Sequence, residues 1–178
     1  MTTANILKKL VLIIIWASFC SNIYSQIRVR PRITVDLKIV AKGTPEFYPE
    51  KIDDQNFFVH IVLRNNEDST IKFLVRECSW GRVDFIVEND SIYLLQPGCD
   101  IDSPMPIKLN SGSSIDFYGM LRARKKDLLN KEFRLGFIYF TSVMAMMNYQ
   151  KGKLQKTGLQ IYWSKKIRLE ENLFKYKQ

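Results

Sequence analysis

Few side chains in this 178-residue chain are equipped for chemistry: three cysteines and a single histidine stand out. Cys20 lies in an apolar N-terminal stretch, whereas Cys78 and Cys99 bracket the middle of the chain. Two cysteines at moderate spacing in an exported chain predict a disulfide. Closing that loop should stabilise the fold by about 3 kcal/mol in the chain-entropy treatment. A redox role is disfavoured because Cys-x-x-Cys spacing is missing. The expected role of Cys78 and Cys99 is a structural staple. It is not the core-crossing bridge of an immunoglobulin domain, whose cysteines lie further apart in sequence.

His60 sits out of phase with Val59 and Ile61, which places it on the solvent side of its strand or against the opposite side of the sheet. One histidine is too few for a histidine-based zinc site. No Gly-x-Ser-x-Gly elbow presents a serine to it. A Cys–His nucleophile pair fails if both cysteines are oxidised. Neither a Gly-x-Gly-x-x-Gly fingerprint nor a Walker loop occurs, and nothing in the spacing pairs two carboxylates as acid and base. Asp100 and Asp102 have the Asp-x-Asp form of a calcium ligand pair, but the remaining oxygen ligands are not identifiable. The reading is a non-enzyme with no metal and no cofactor. What remains is a contact surface around the Cys78–Cys99 loop, formed by Trp80, Arg82, Asp100 and Asp102. Trp and Arg are the side chains that most often anchor contacts, although packing on the disulfide is the favoured role of Trp80. The Met144-Ala145-Met146-Met147 cluster offers a soft-metal or adaptable binding surface. Its simpler reading is a hydrophobic cover over one end of the fold.

The elements that must position these residues are strands. Arg32–Lys42 alternates with period two, setting Ile33, Val35, Leu37, Ile39 and Ala41 on one face. Phe57–Arg64 directs Phe57, Val59, Ile61 and Leu63 inward, and Ile71, Phe73 and Val75 begin a third strand. Arg82–Val87 and Ile92–Leu95 read as a hairpin across the turn formers Glu88–Ser91. Ser103–Pro106, with two prolines, is not a central strand. Ile107 and Leu109 lead to a turn at Asn110–Ser113, and Ile115, Phe117, Gly119 and Leu121 continue as a strand. Glu132–Thr141 is apolar on both faces at its end, as expected of a central strand. Val143–Gln150 starts a short helix, and Gly158–Leu169 closes the fold with Leu159, Ile161 and Trp163 inward. Gly43–Asn56, with Phe47 and Tyr48, reads as loop. Seven to nine strands with frequent turn signals predict an all-β, immunoglobulin-like antiparallel β-sandwich, with a small β-barrel as the alternative.

Residues 1–25 have the layout of a secretory signal peptide: Lys8 and Lys9, an apolar run from Leu10 to Phe19, then small and polar residues. The apolar run is shorter than a bilayer span, so the mature chain is expected to carry no transmembrane segment. Cleavage after Ser25 leaves a domain over 26–170 and a charged tail over 171–178. Ala17-Ser18-Phe19-Cys20 matches a lipobox poorly, with Phe19 where a small residue belongs. Acylation at Cys20, the alternative, would anchor the protein to a surface. The formal charge is +9, and removing residues 1–25 leaves +7. The basic residues are dispersed and interrupted by acids, which argues against nucleic acid as a partner. Attraction to an anionic cell surface or acidic glycan is the more natural consequence.

Three stretches are similar to known proteins. Cys78-Ser79-Trp80 follows a strand and leads to a second cysteine. Ile107–Ser114 resembles a step of bacterial Ig-like domains. Arg134-Leu135-Gly136-Phe137, with Trp163-Ser164 before a last Ile-x-Leu strand, resembles small secreted β-sandwich proteins of the Bacteroidetes, as does the leader ending Tyr24-Ser25-Gln26. The resemblance implies an Ig-like fold and export, and it carries over no catalytic residues. The expected function is that of an exported, non-enzymatic binding or structural accessory module, periplasmic or extracellular. Its partner would be a protein or glycan at the cell envelope. The alternative is a small envelope enzyme or protease-inhibitor-like domain using the disulfide-braced loop.

Overall fold

Alternation of apolar and polar residues along most of the chain produces strands that each offer one face to a shared interior. The computed structural model describes residues 32–43, 54–95, 102–124, 131–153, 155 and 158–169, all within the unit Pro31–Gln178. The expected leader, the charged tail, Phe47, Tyr48, Cys99 and Asp100 lie outside the described residues. In chain order the elements are β1 (Ile33–Lys42), β2 (Gln55–Asn65), β3 (Ile71–Arg76), α1 (Trp80–Val83), β4 (Phe85–Val87), β5 (Ile92–Leu95), β6 (Pro104–Leu109), β7 (Ser114–Ala123), β8 (Glu132–Phe133), β9 (Leu135–Ile138), α2 (Val143–Gln150), β10 (Ile161–Trp163) and β11 (Ile167–Arg168).

One antiparallel sheet has the order β1-β2-β7-β5. The second layer is built in pieces. The order β10-β9-β4 forms its centre, β11-β8 continues it, and β3-β6 joins through the bridge between Leu74 and Phe140. Counting β8 with β9, and β10 with β11, gives nine strand runs among the described residues, in the expected range. Neither layer closes on itself, so the architecture is an antiparallel β-sandwich and not the barrel alternative. The buried cluster between the layers takes Ile33, Val59, Ile61, Leu63 and Leu121 from one sheet. From the other it takes Ile71, Phe73, Phe85, Phe133, Leu135 and Phe137. Fully burying one such side chain contributes about 1.5–3 kcal/mol. The two prolines of β6 fit its place beside a single partner, β3.

Several expected details are corrected. Ala41 does not share a face with Ile39, because β1 slips by one residue between them and sets Ala41 opposite Phe58. A one-residue bulge inverts every side chain beyond it. Arg82–Val87 is not one strand, since residues 80–83 form a single helical turn. Nor do β4 and β5 form a hairpin: β4 pairs with β9 and β5 with β7. The turn between them crosses from one layer to the other, held by the Asn89 side chain accepting the Ser91 N–H at 2.9 Å. Polar turn formers mark a reversal, but they do not specify which sheet receives the next strand. Trp163 points away from the core, and Tyr162 is buried in its place. Both faces of β10 are covered, so its apolar residues do not reveal which face looks into the sandwich.

The second cover explains this. Met146, Val83, Ile138 and Phe140 form a separate buried cluster on the outer face of the second layer, with Leu159, Ile161 and Tyr149 packed against it. Helix α2 lies over this face, capped by Ser142, whose Oγ accepts the Ala145 N–H at 3.2 Å. The methionine cluster is thus a hydrophobic cover over a sheet face, with Met146 fully buried and Met144 67% exposed.

Candidate functional site

The first candidate surface lies where β3 ends. Trp80 opens α1 and its ring packs inward, with centroids 5.6 Å from Phe85 and 5.1 Å from Phe117. It also lies across Gly119: a Cβ there would stand 2.9 Å from Trp80 Cη2. Trp80 therefore packs against the core. Arg82 is exposed on the same turn.

Asp102 is occupied with local structure. Its carboxylate accepts the N–H of Ser79 at 3.1 Å, the N–H of Cys78 at 3.4 Å and the Ser79 hydroxyl. It also lies 4.0 Å from Arg76 Nη1. Burial works to raise its pKa, but the Ser79 and Cys78 hydrogen bonds and the Arg76 charge outweigh that and leave it below the usual carboxylate value. Its carboxylate oxygens are thus engaged in ordering the turn at Cys78 and Ser79. Among the described residues, no group of three or more His, Cys, Asp or Glu is placed to hold a metal. Arg76 ties this corner to α2, donating to the Asp102 carbonyl at 2.6 Å and to the Gln150 side chain. Cys78 is half-buried beside this network.

The sequence did not point to a second place, at the edge of the first sheet among the described residues. β1 is the edge strand there. Opposite it, Ser164 interrupts the β10–β11 run: its N–H donates to the Leu135 carbonyl at 2.8 Å, and its Oγ accepts the Leu135 N–H at 3.0 Å. One side chain replaces a rung of the ladder, and Lys165 and Lys166 arch out before β11 resumes. A groove of about 390 Å³ lies between this arch and β1, lined by Asp36, Lys38, His60, Val62, Ser164, Lys165 and Lys166 among others. Three lysines stand there against one aspartate. Lys166 is 3.9 Å from Glu132, while Lys38 and Lys165 have no carboxylate within salt-bridge distance among the described residues. In the sequence this site shows only as His60, out of phase with its apolar neighbours, and the adjacent Lys165-Lys166 pair.

His60 faces the outer side of the sheet, as its phase implied. Its Nε2 is 2.6 Å from Asp116 Oδ1, and its ring stacks on Tyr118 with centroids 4.6 Å apart and planes at 5°. Lys38, His60 and Tyr118 are direct cross-strand partners in one row over β1, β2 and β7. His60, Asp116 and a groove serine superficially suggest a hydrolytic triad. The hydroxyl of Ser164 excludes itself, because it accepts from Leu135 and donates to the Lys165 carbonyl at 2.8 Å. A nucleophile needs that lone pair and proton free for the base.

No protein-family model, curated protein or solved structure matches this chain.

Proposed function

We propose that the protein is an exported, non-catalytic binding module that works at the cell envelope and makes contact through the cationic groove along β1. The observation that carries this reading is the groove itself, a concave surface with lysines on both walls whose one serine is locked into backbone hydrogen bonds. Such a site can hold a charged partner, but it has no activated nucleophile to act on one. The reading combines that geometry with the leader-like residues 1–25 and the resemblance to secreted β-sandwich proteins of the Bacteroidetes. It includes a disulfide between Cys78 and Cys99. Cys78 and Cys99 are the two cysteines of the expected exported domain, and an even count at this spacing supports a bridge. The bridge braces the corner that Asp102 and Arg76 hold by hydrogen bonds. None of the described helices is long and apolar enough to cross a membrane.

The test is a sedimentation assay of the purified protein with isolated cell envelopes, together with N-terminal sequencing of the exported form. Retention on envelopes, a severalfold loss in a Lys38→Glu, Lys165→Glu variant, and a chain beginning at Gln26 are expected. Equal retention of the charge-reversed variant, or a chain found only inside the cell with its leader intact, would overturn the reading.

A further inference from the structure

We infer that the groove and the aromatic row beside it form a site for an acidic polysaccharide, one whose sugar rings carry carboxylate or sulfate groups. This rests on the reading of the groove as a binding surface and names its ligand class. Two independent features meet here. The first is charge: Lys38, Lys165 and Lys166 line one concavity with Asp36, and although Glu132 lies 3.9 Å from Lys166, Lys38 and Lys165 have no carboxylate within salt-bridge distance among the described residues. The second is a flat ring. Tyr118 is 72% exposed although it lies mid-strand on β7, and its stack on His60 fixes its ring parallel to the imidazole. His60 is fixed in turn by Asp116. An exposed aromatic on a sheet face, oriented by neighbours rather than by burial, offers an apolar plane to the C–H face of a sugar ring. Lys38 and Tyr118 are two strands apart on one row, about 10 Å. A chain lying across β1, β2 and β7 therefore meets the ammonium groups at one end and the ring at the other.

The alternatives fit less well. A lone inorganic anion would use the lysines and leave the ring idle. Single-stranded nucleic acid also combines phosphates with stacked bases, but it relies on successive aromatic platforms, and on this row Tyr118 and His60 form one stack with one outward ring.

The experiment is titration calorimetry of the purified protein with an oligogalacturonate of fixed length. Its fully methyl-esterified counterpart and a single-stranded oligonucleotide of equal charge serve as comparisons. The acid form is expected to bind with an affinity that falls as salt rises, and the ester and the oligonucleotide at least roughly tenfold more weakly. Tyr118→Ala and Lys38→Gln, Lys165→Gln should each weaken binding roughly tenfold, with unchanged circular dichroism. Arg82→Gln removes one cation outside the site and should change nothing. Equal binding of ester and acid, preference for the oligonucleotide, an Arg82→Gln loss as large as that of the lysine pair, or no binding would each overturn the assignment. If envelope retention still depends on Lys38 and Lys165 in that case, the ligand class fails and the binding-module reading stands.

Discussion

Asp84 Oδ2 accepts the backbone N–H of Arg76 at 2.6 Å in a fully buried setting, while Asp84 Oδ1 and Arg76 Nε find no hydrogen-bond partner among the described residues. Burial pushes the Asp84 carboxyl up to about 7, against the smaller opposing effects of the Arg76 N–H and the Arg76 charge. The folded protein therefore holds a proton that the unfolded chain, titrating near 3.8, has released. The associated stability is fully present below the unfolded value and is lost as pH rises toward about 7, with a slope of at most about 1.4 kcal/mol per unit. Thermal unfolding should occur a few degrees lower at pH 8 than at pH 5. Asp84→Asn, which keeps an acceptor for Arg76, should flatten that difference by stabilising the protein at pH 8. An unchanged slope in the variant would mean that Asp84 is already ionised when folded.

Gly119 is required by Trp80. A methyl group at 119 meets the indole at 2.9 Å, closer than real Cβ contacts allow. Gly119→Ala is expected to cost about 1–3 kcal/mol through overpacking, and Trp80→Ala about 3 kcal/mol through the cavity it leaves. Denaturant unfolding measures both. If Trp80 were a contact residue with no packing role, its removal would leave the midpoint unmoved.

Asn65 joins two turns. Its side-chain amide lies within hydrogen-bond reach of the carbonyls of Ser69, Leu109 and Asn110, and its Oδ1 accepts the Glu67 N–H. Fully buried, it satisfies backbone groups that nothing else replaces. Asn65→Ala should destabilise by about 2–4 kcal/mol, whereas the exposed neighbour Asp68→Ala should lie within about 0.5 kcal/mol of the parent. Equal effects in chemical denaturation would remove Asn65 from this role.

The helix that covers the second layer makes a contrast within one cluster. Met146→Ser should cost about 2–5 kcal/mol and Met144→Ser close to nothing. Similar midpoint shifts would mean that α2 does not hold the sheet face shut.

The proposed staple has its own signature. Cys78→Ser and Cys99→Ser should each lower stability by about 3 kcal/mol under oxidising conditions, and the double variant by no more than either single one. Additive losses, or two free thiols in the unreduced parent protein, would separate the cysteines.

The sandwich was legible because each sheet buries one face and the side-chain period of a strand is two. Phe57, Val59, Ile61 and Leu63 could be assigned to the interior from their spacing alone, as could Ile115, Phe117 and Leu121. The two prolines of β6 marked an edge. Where that logic lapsed, the expectations failed for physical reasons. The phase of β10 was misread because α2 covers the second layer from outside, so apolar residues line both faces. The β4–β5 turn was misread because a turn sequence encodes a reversal and not a partner.

The site followed the same division. Composition and local pattern determined that this is a basic, strand-built chain with one histidine on an outer strand face. They also left Trp80, Arg82 and Asp102 as attractive contact residues. Tertiary structure decided that Trp80 packs against Phe85, Phe117 and Gly119 and that Asp102 orders the turn beside it. It also brought Lys38 of β1 to one groove with Lys165 and Lys166, well over a hundred residues later in the chain. Alternation records which face a side chain takes. Only the packing of two sheet edges records which distant side chains that face will meet.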